Sequence, residues 1–75
     1  MNGNTPRQYS LVRFLFDTLP PAYHDKYPFT RDGVYVFFGE IPNMPGHCVV
    51  AETKTGRLYS GYHTEHFAEI PEDEA

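Results

Sequence analysis

Residues 33–62 read GVYVFFGEIPNMPGHCVVAETKTGRLYSGY and contain three short apolar segments that are separated by two turns. The first segment, residues 33–41, has β-branched and aromatic residues on both sides of the pleat, which is typical of a central strand covered on both faces. Gly39, near its end, predicts a β-bulge. Two further strands are predicted over residues 47–53 and 57–62, so the stretch forms an antiparallel meander.

Two turns determine how these strands pair. Pro45-Gly46 suits the centre of a type II turn, because proline presets the first φ and glycine accepts a positive second φ. Residues 53–56 (TKTG) fit a type I turn closed by a left-handed glycine, in a three-residue hairpin loop that pairs Thr53 with Arg57. This register places five residues on one side of the sheet, which we expect to be the core side. They are Cys48, Val50, Leu58, Ser60 and Tyr62.

The N-terminal segment allows two interpretations. Apolar residues at helical spacing, a Thr5-Pro6 capping signal and the Pro20-Pro21 stop predict one helix over about residues 7–19. With a short fourth strand over 67–70, the result is an α+β fold in which the helix packs on a small antiparallel sheet of three to four strands. The alternative is a small five-stranded β-barrel of the SH3-like type. In that fold the N-terminal segment supplies a strand, and a turn precedes the last strand.

Composition limits the classes of partner. With 75 residues the chain is expected to form one small domain, 1–75, with disordered ends at 1–5 and 72–75. Ten acidic and six scattered basic residues give a net charge of −4, which argues against nucleic acid as a partner. There is no signal peptide pattern and no apolar run of about 20 residues, so we expect no membrane association and a cytoplasmic location.

The sequence contains no complete catalytic or cofactor signature, so we expect a protein that is not an enzyme and that needs no cofactor. One group of residues supports an alternative, a small-molecule or metal-binding domain, because imidazole and thiolate ligands suit Zn²⁺. The group consists of His47, Cys48, His63 and His66. Only His63 and His66 have the spacing of a ligand pair, and His47 and Cys48 point to opposite faces of a strand.

Protein binding is the function that the sequence favours. Six Tyr and six Phe exceed what one small core needs, and the proline-stiffened loop 42–46 exposes a methionine at low entropic cost. We therefore expect an adaptor, inhibitor or antidote-like domain that binds another protein or associates with itself as a homodimer. The predicted contact residues are Met44, Pro45, Tyr35, Phe37 and Tyr59. The last three cannot share the face of Val36, Phe38 and Leu58, so the second face is covered by the helix or by another chain.

Overall fold

The computed structural model describes residues 5–74, and in them five antiparallel strands form one sheet. The strands are β1 (Leu11–Phe14), β2 (Tyr35–Glu40), β3 (His47–Glu52), β4 (Leu58–His63) and β5 (Phe67–Glu69). Their order across the sheet is β4-β3-β2-β1-β5. The remaining helical elements of the described residues are short 3₁₀ turns: Phe16–Thr18, Pro21–Lys26, Thr64–His66 and Glu72–Glu74.

The predicted helix over residues 7–19 is wrong, because residues 11–14 form β1 between β2 and β5. Val12 and Phe14 are buried while Arg13 is exposed, so the apolar residues repeat with the period of a strand. β1 forms backbone hydrogen bonds with a strand on each side, β2 and β5. This pairing favours the strand conformation over a helix, although the apolar residues also fit a helical period. The α+β class is therefore wrong, and the protein has a small β-rich fold. A strand in this segment and a turn before the last strand are both present.

The central position of β2 and the first turn agree with the sequence prediction. β2 is the third of the five strands, and the register with β3 shifts between Phe37 and Gly39. This shift confirms the bulge, and Gly39 has a φ of 118° that a residue with a side chain rarely adopts. At the next turn His47 N–H donates to the Met44 carbonyl at 3.0 Å, and Gly46 has a φ of 79°. Both features are those of the predicted type II turn.

The β3–β4 hairpin departs from the predicted register near its turn. Glu52 N–H donates to the Arg57 carbonyl at 2.9 Å, so the loop holds four residues rather than three. Val50 therefore lies opposite Tyr59, and Leu58 and Ser60 are exposed rather than part of the core. A second register shift between Cys48 and Val49, beside Gly61 on β4, restores the predicted pairing of Cys48 with Tyr62.

The core lies on one side of the sheet, which we call the inner face; the opposite side is the outer face. Residues 15–34 connect β1 to β2 and cover the inner face, with Phe29 at the centre of the packing. Its ring centroid lies 4.7 Å from that of Phe14, 5.2 Å from that of Tyr35 and 5.3 Å from that of Phe67. The buried hydrophobic cluster contains Val12, Phe14, Phe16, Phe29, Tyr35, Phe37, Cys48, Val50 and Phe67.

The ends of the chain were predicted to be disordered over 1–5 and 72–75. Residues 72–74 form a 3₁₀ turn, whereas residues 1–4 and 75 lie outside the described residues. The described N-terminal segment is tied to β5, since Arg7 forms an ion pair with Glu69 at 2.5 Å and Pro6 is buried. The hydrogen bonds that Arg7 donates to the Glu69 carboxylate lower the pKa of Glu69.

Candidate protein-binding groove

The connection from β1 to β2 places aromatic side chains beside β4. Tyr23 N–H donates to the Pro20 carbonyl at 2.9 Å, which closes the 3₁₀ turn Pro21–Lys26. His24 Nε2 lies 2.9 Å from the Phe16 carbonyl oxygen and so fixes this turn to the one before it. Because Phe29 is inserted into the core just beyond, Tyr27 is held at the edge of the core.

Tyr27 forms the centre of a groove between this connection and β4. Its ring centroid lies 5.9 Å from that of Tyr62, and the two rings separate two shallow hollows of about 490 Å³ each. The first hollow continues along Tyr59, whose ring is 6.4 Å from that of Tyr62. The second continues past Tyr23, which is 48 % exposed. We call the two hollows together the aromatic groove, defined by Tyr23, Tyr27, Tyr59 and Tyr62.

The hydroxyl groups of the groove tyrosines are free to bind a ligand. Within residues 5–74 none of these four hydroxyls has a hydrogen-bond partner in the protein. The Tyr35 hydroxyl differs, because it is buried and accepts a hydrogen bond from Thr30 N–H at 3.1 Å. A phenol both donates and accepts, so the groove combines apolar ring surface with four unused polar tips.

The structure distributes the predicted contact residues over three places. Tyr59 lines the aromatic groove, and Met44 and Pro45 are exposed on the β2–β3 loop. Tyr35 and Phe37 are 1 % and 2 % exposed, so they are core residues. Residues 15–34 cover them. The face that carries Tyr35 and Phe37, which was predicted to be covered by the helix or by another chain, is therefore covered within the chain by a loop.

Three of the four groove tyrosines were not among the predicted contact residues. Tyr23 and Tyr27 belong to a proline-rich connection, and their aromatic character suggested only that they anchor it. Tyr62 was assigned to the core, and it is partly exposed at the edge of the core. The combination of three prolines and three aromatics in residues 20–29 is the signal that could have identified this segment as a binding surface.

The predicted metal ligands are only partly brought together. The His47 and His63 ring centroids are 4.4 Å apart, and those of His63 and His66 are 5.8 Å apart. Cys48 points into the core, where burial raises the pKa of its thiol to about 11 despite the opposing effect of the Thr64 hydroxyl. Over the described range, no three His, Cys, Asp or Glu residues are arranged to hold a metal ion.

His66 connects the groove to the core. Its Nδ1 is 2.7 Å from the Thr18 hydroxyl, and its ring lies 5.9 Å from Phe14 and 6.3 Å from Tyr27. Burial lowers the pKa of His66; the carboxylate of Glu65 opposes this effect and the imidazole of His63 adds to it. The lowered pKa favours the neutral form of the His66 ring, and this ring packs beside that of Tyr27.

Comparison with protein-family models, with curated proteins and with solved structures gives no match. Between residues 5 and 74 no helix has the length and apolar character needed to cross a membrane. What the groove can bind therefore has to follow from its own shape and chemistry.

Proposed function

We propose that this is a non-catalytic, cytoplasmic protein-binding domain that holds an extended, proline-rich segment of a partner protein in the aromatic groove. An adaptor, an inhibitor and an antidote-like protein would all use such a groove. The observation that carries the proposal is the pair of adjacent hollows lined by four tyrosines whose hydroxyls have no partner among the described residues.

The polyproline II conformation fits the chemistry of these tyrosines. A polyproline II segment makes no internal hydrogen bonds, so its carbonyl groups are available as acceptors for tyrosine hydroxyls. Proline has no N–H group that the groove would leave unsatisfied, and its ring packs well on an aromatic face. The segment is also stiff before it binds, which lowers the entropic cost of binding to a shallow surface. The Tyr27–Tyr62 pair would separate two successive turns of the segment.

The surroundings of the other reactive groups support a non-catalytic protein. Cys48 is 1 % exposed, and with a pKa of about 11 it stays a protonated thiol at neutral pH. The net charge of −4 supports a protein partner over a nucleic acid.

One observation favours a second candidate function, the binding of Zn²⁺ or a small molecule. The close approach of His47 to His63 would suit a shared ligand, with His66 next in the row, although Cys48 points away from them. Added ZnCl₂ should then raise the melting temperature of the chain, and an unchanged melting temperature would remove this candidate.

Selection from a display library of random peptides of about 12 residues tests the proposal. The library can identify a ligand before the natural partner has been found, and the selected peptides should be enriched in proline. Tyr23→Ala should weaken their binding by about five- to tenfold, since stacking on an exposed aromatic ring contributes about 1–1.4 kcal/mol. Tyr9→Ala is the matched control, because Tyr9 is also exposed but packs on Phe38, away from the groove.

Weaker binding by Tyr23→Ala and unchanged binding by Tyr9→Ala would support the groove. The reverse result would place the interface at Tyr9 and Phe38 and overturn the proposal. Met44→Asp tests the β2–β3 loop in the same assay, and unchanged binding would remove this loop from the interface. A library that yields no proline-enriched peptide would also contradict the proposal.

A further inference from the structure

The aromatic groove carries a charge opposite to that of the whole chain. Among the described residues its charged lining side chains are the cations Lys26 and Arg57 and one carboxylate, Asp25. Two other hollows are acidic: one is lined by Glu65 and Glu69, although Arg7 pairs with the second of these. The charged residues that line the other hollow are Asp32, Glu52 and Lys54, which leaves an acidic excess. Two of the six basic side chains of this acidic protein thus lie at the groove.

Arg57 is positioned to use its hydrogen-bonding groups on a ligand. Its guanidinium carbon lies 5.7 Å from the centroid of the Tyr59 ring, and no carboxylate of the described residues is within 4.0 Å of it. A guanidinium over an aromatic ring keeps its N–H groups directed outward, which suits bidentate binding of a carboxylate. Lys26 lies over the Tyr23 ring in a similar way, at 6.0 Å. It lines both hollows, whereas Arg57 lines the first hollow alone.

We infer that the partner segment carries an acidic side chain next to its prolines, and that Arg57 binds this carboxylate while the tyrosines hold the apolar part. This inference rests on the proposed function and specifies the class of partner, an acidic proline-rich peptide. Arg57 sets the specificity for the acidic residue, and Lys26 adds attraction during the approach of the peptide. The repulsion between Asp25 and the acidic side chain of the peptide is smaller than the attraction from the two cations.

An array of synthetic proline-rich peptides tests the inference. Each position of a fixed proline-rich frame of about 12 residues is replaced in turn by Glu, Gln or Lys. At one position Glu should bind about fivefold tighter than Gln at low salt, which is the size of a favourable exposed ion pair. Raising NaCl from about 0.05 to 0.5 M should remove most of this preference, because salt screens exposed charges.

Arg57→Gln should remove the preference for Glu, so that the Glu and Gln peptides bind this variant with equal affinity. Lys54→Gln is the matched control, since it removes the same charge from the hairpin loop outside the groove. Binding of the Glu and Gln peptides with equal affinity at every position would overturn the inference and leave the proposed function intact. A preference for Glu that survives Arg57→Gln but is lost in Lys54→Gln would overturn it as well. An array on which no peptide binds would overturn both.

Discussion

Val49 and Val50 are neighbours in β3, yet Val50 is fully buried on the inner face whereas Val49 on the outer face is only half-buried. The outer face is not polar, because Leu11, Val36 and Ala51 lie next to one another across β1, β2 and β3. Leu58 continues this row on β4 and is 63 % exposed. The two faces therefore differ in what covers them more than in how apolar they are.

The connection from β1 to β2 decides which face becomes the core. Alternation of apolar residues makes both faces of the sheet suitable for burial, but residues 15–34 supply Phe16 and Phe29 to one face only. The same connection places Tyr27 beside Tyr62 and so creates the aromatic groove. Covering the core and forming the groove are two effects of one segment.

Removal of the Phe29 ring, at the centre of the cover, should destabilise the protein most. Phe29→Ala should lower the free energy of unfolding by about 3–5 kcal/mol, because a buried ring surrounded by other rings leaves a cavity. Phe38→Ala on the outer face should cost less than about 1 kcal/mol, since Phe38 is 36 % exposed. Urea unfolding of both variants checks this, and equal losses would mean that the inner face is not the core.

A smaller effect is expected from truncating the two adjacent valines. Val50→Ala should lower the free energy of unfolding by about 2 kcal/mol, because its methyl groups are fully buried. Val49→Ala makes the same chemical change one residue earlier and should cost less than half as much. Thermal unfolding at equal protein concentration compares the two. A larger loss from Val49→Ala would show that the outer face is covered in solution, as it would be in a homodimer.

Removal of one oxygen atom, the hydroxyl of Tyr35, should weaken the attachment of the connection 15–34 to the sheet. Tyr35→Phe removes the hydroxyl that accepts the hydrogen bond from Thr30 N–H and should cost about 1 kcal/mol. Hydrogen exchange at the Thr30 amide should become faster, whereas the β2–β3 amides should lose protection only as far as global stability falls. An unchanged exchange rate at Thr30 would contradict the hydrogen bond.

The smallest expected effect concerns pH. Since burial lowers the pKa of His66 in the folded state, the unfolded chain binds more protons than the folded chain at mildly acidic pH. The contribution of His66 to the free energy of unfolding should therefore be fully present above the ordinary histidine pKa of about 6.5. It should decrease as pH falls below that value and should level off below the lowered pKa of the folded state. Melting temperatures between about pH 5 and 8 measure this. His66→Gln should flatten the curve, and an unchanged slope would assign the effect to other groups.

The local features of the fold could be predicted from the sequence, whereas the features that depend on distant partners could not. Gly39 and Pro45-Gly46 indicate a bulge and a turn through backbone geometry alone, and both are present. The apolar residues around positions 11–14 fit the period of a helix and also that of a strand. The neighbouring strands β2 and β5, which pair with this segment, select the strand. The register of the β3–β4 hairpin changed by one residue because the loop is longer by one, and this reversed the expected faces near the turn.

The candidate site was predictable to a smaller extent for the same reason. Tyr59 was predicted as a contact residue because its side chain was expected to point away from the core. The changed register instead places it opposite Val50 on the inner face, where it packs at the edge of the core and lines the groove. Tyr27 and Tyr62 meet only because the connection folds back across the inner face, which no local pattern of residues determines. The role of Arg57 depends on its place over the Tyr59 ring, and its position beside a turn glycine gave no indication of it.

The most direct test of the groove is a titration of ¹⁵N-labelled protein with an acidic proline-rich peptide from the array, followed by amide chemical shifts. We predict that the largest changes occur at Tyr27, Tyr62 and Arg57 and fit a single binding curve. Changes confined to the outer face, around Tyr9 and Phe38, would contradict the account, and so would a peptide that binds without perturbing the groove amides.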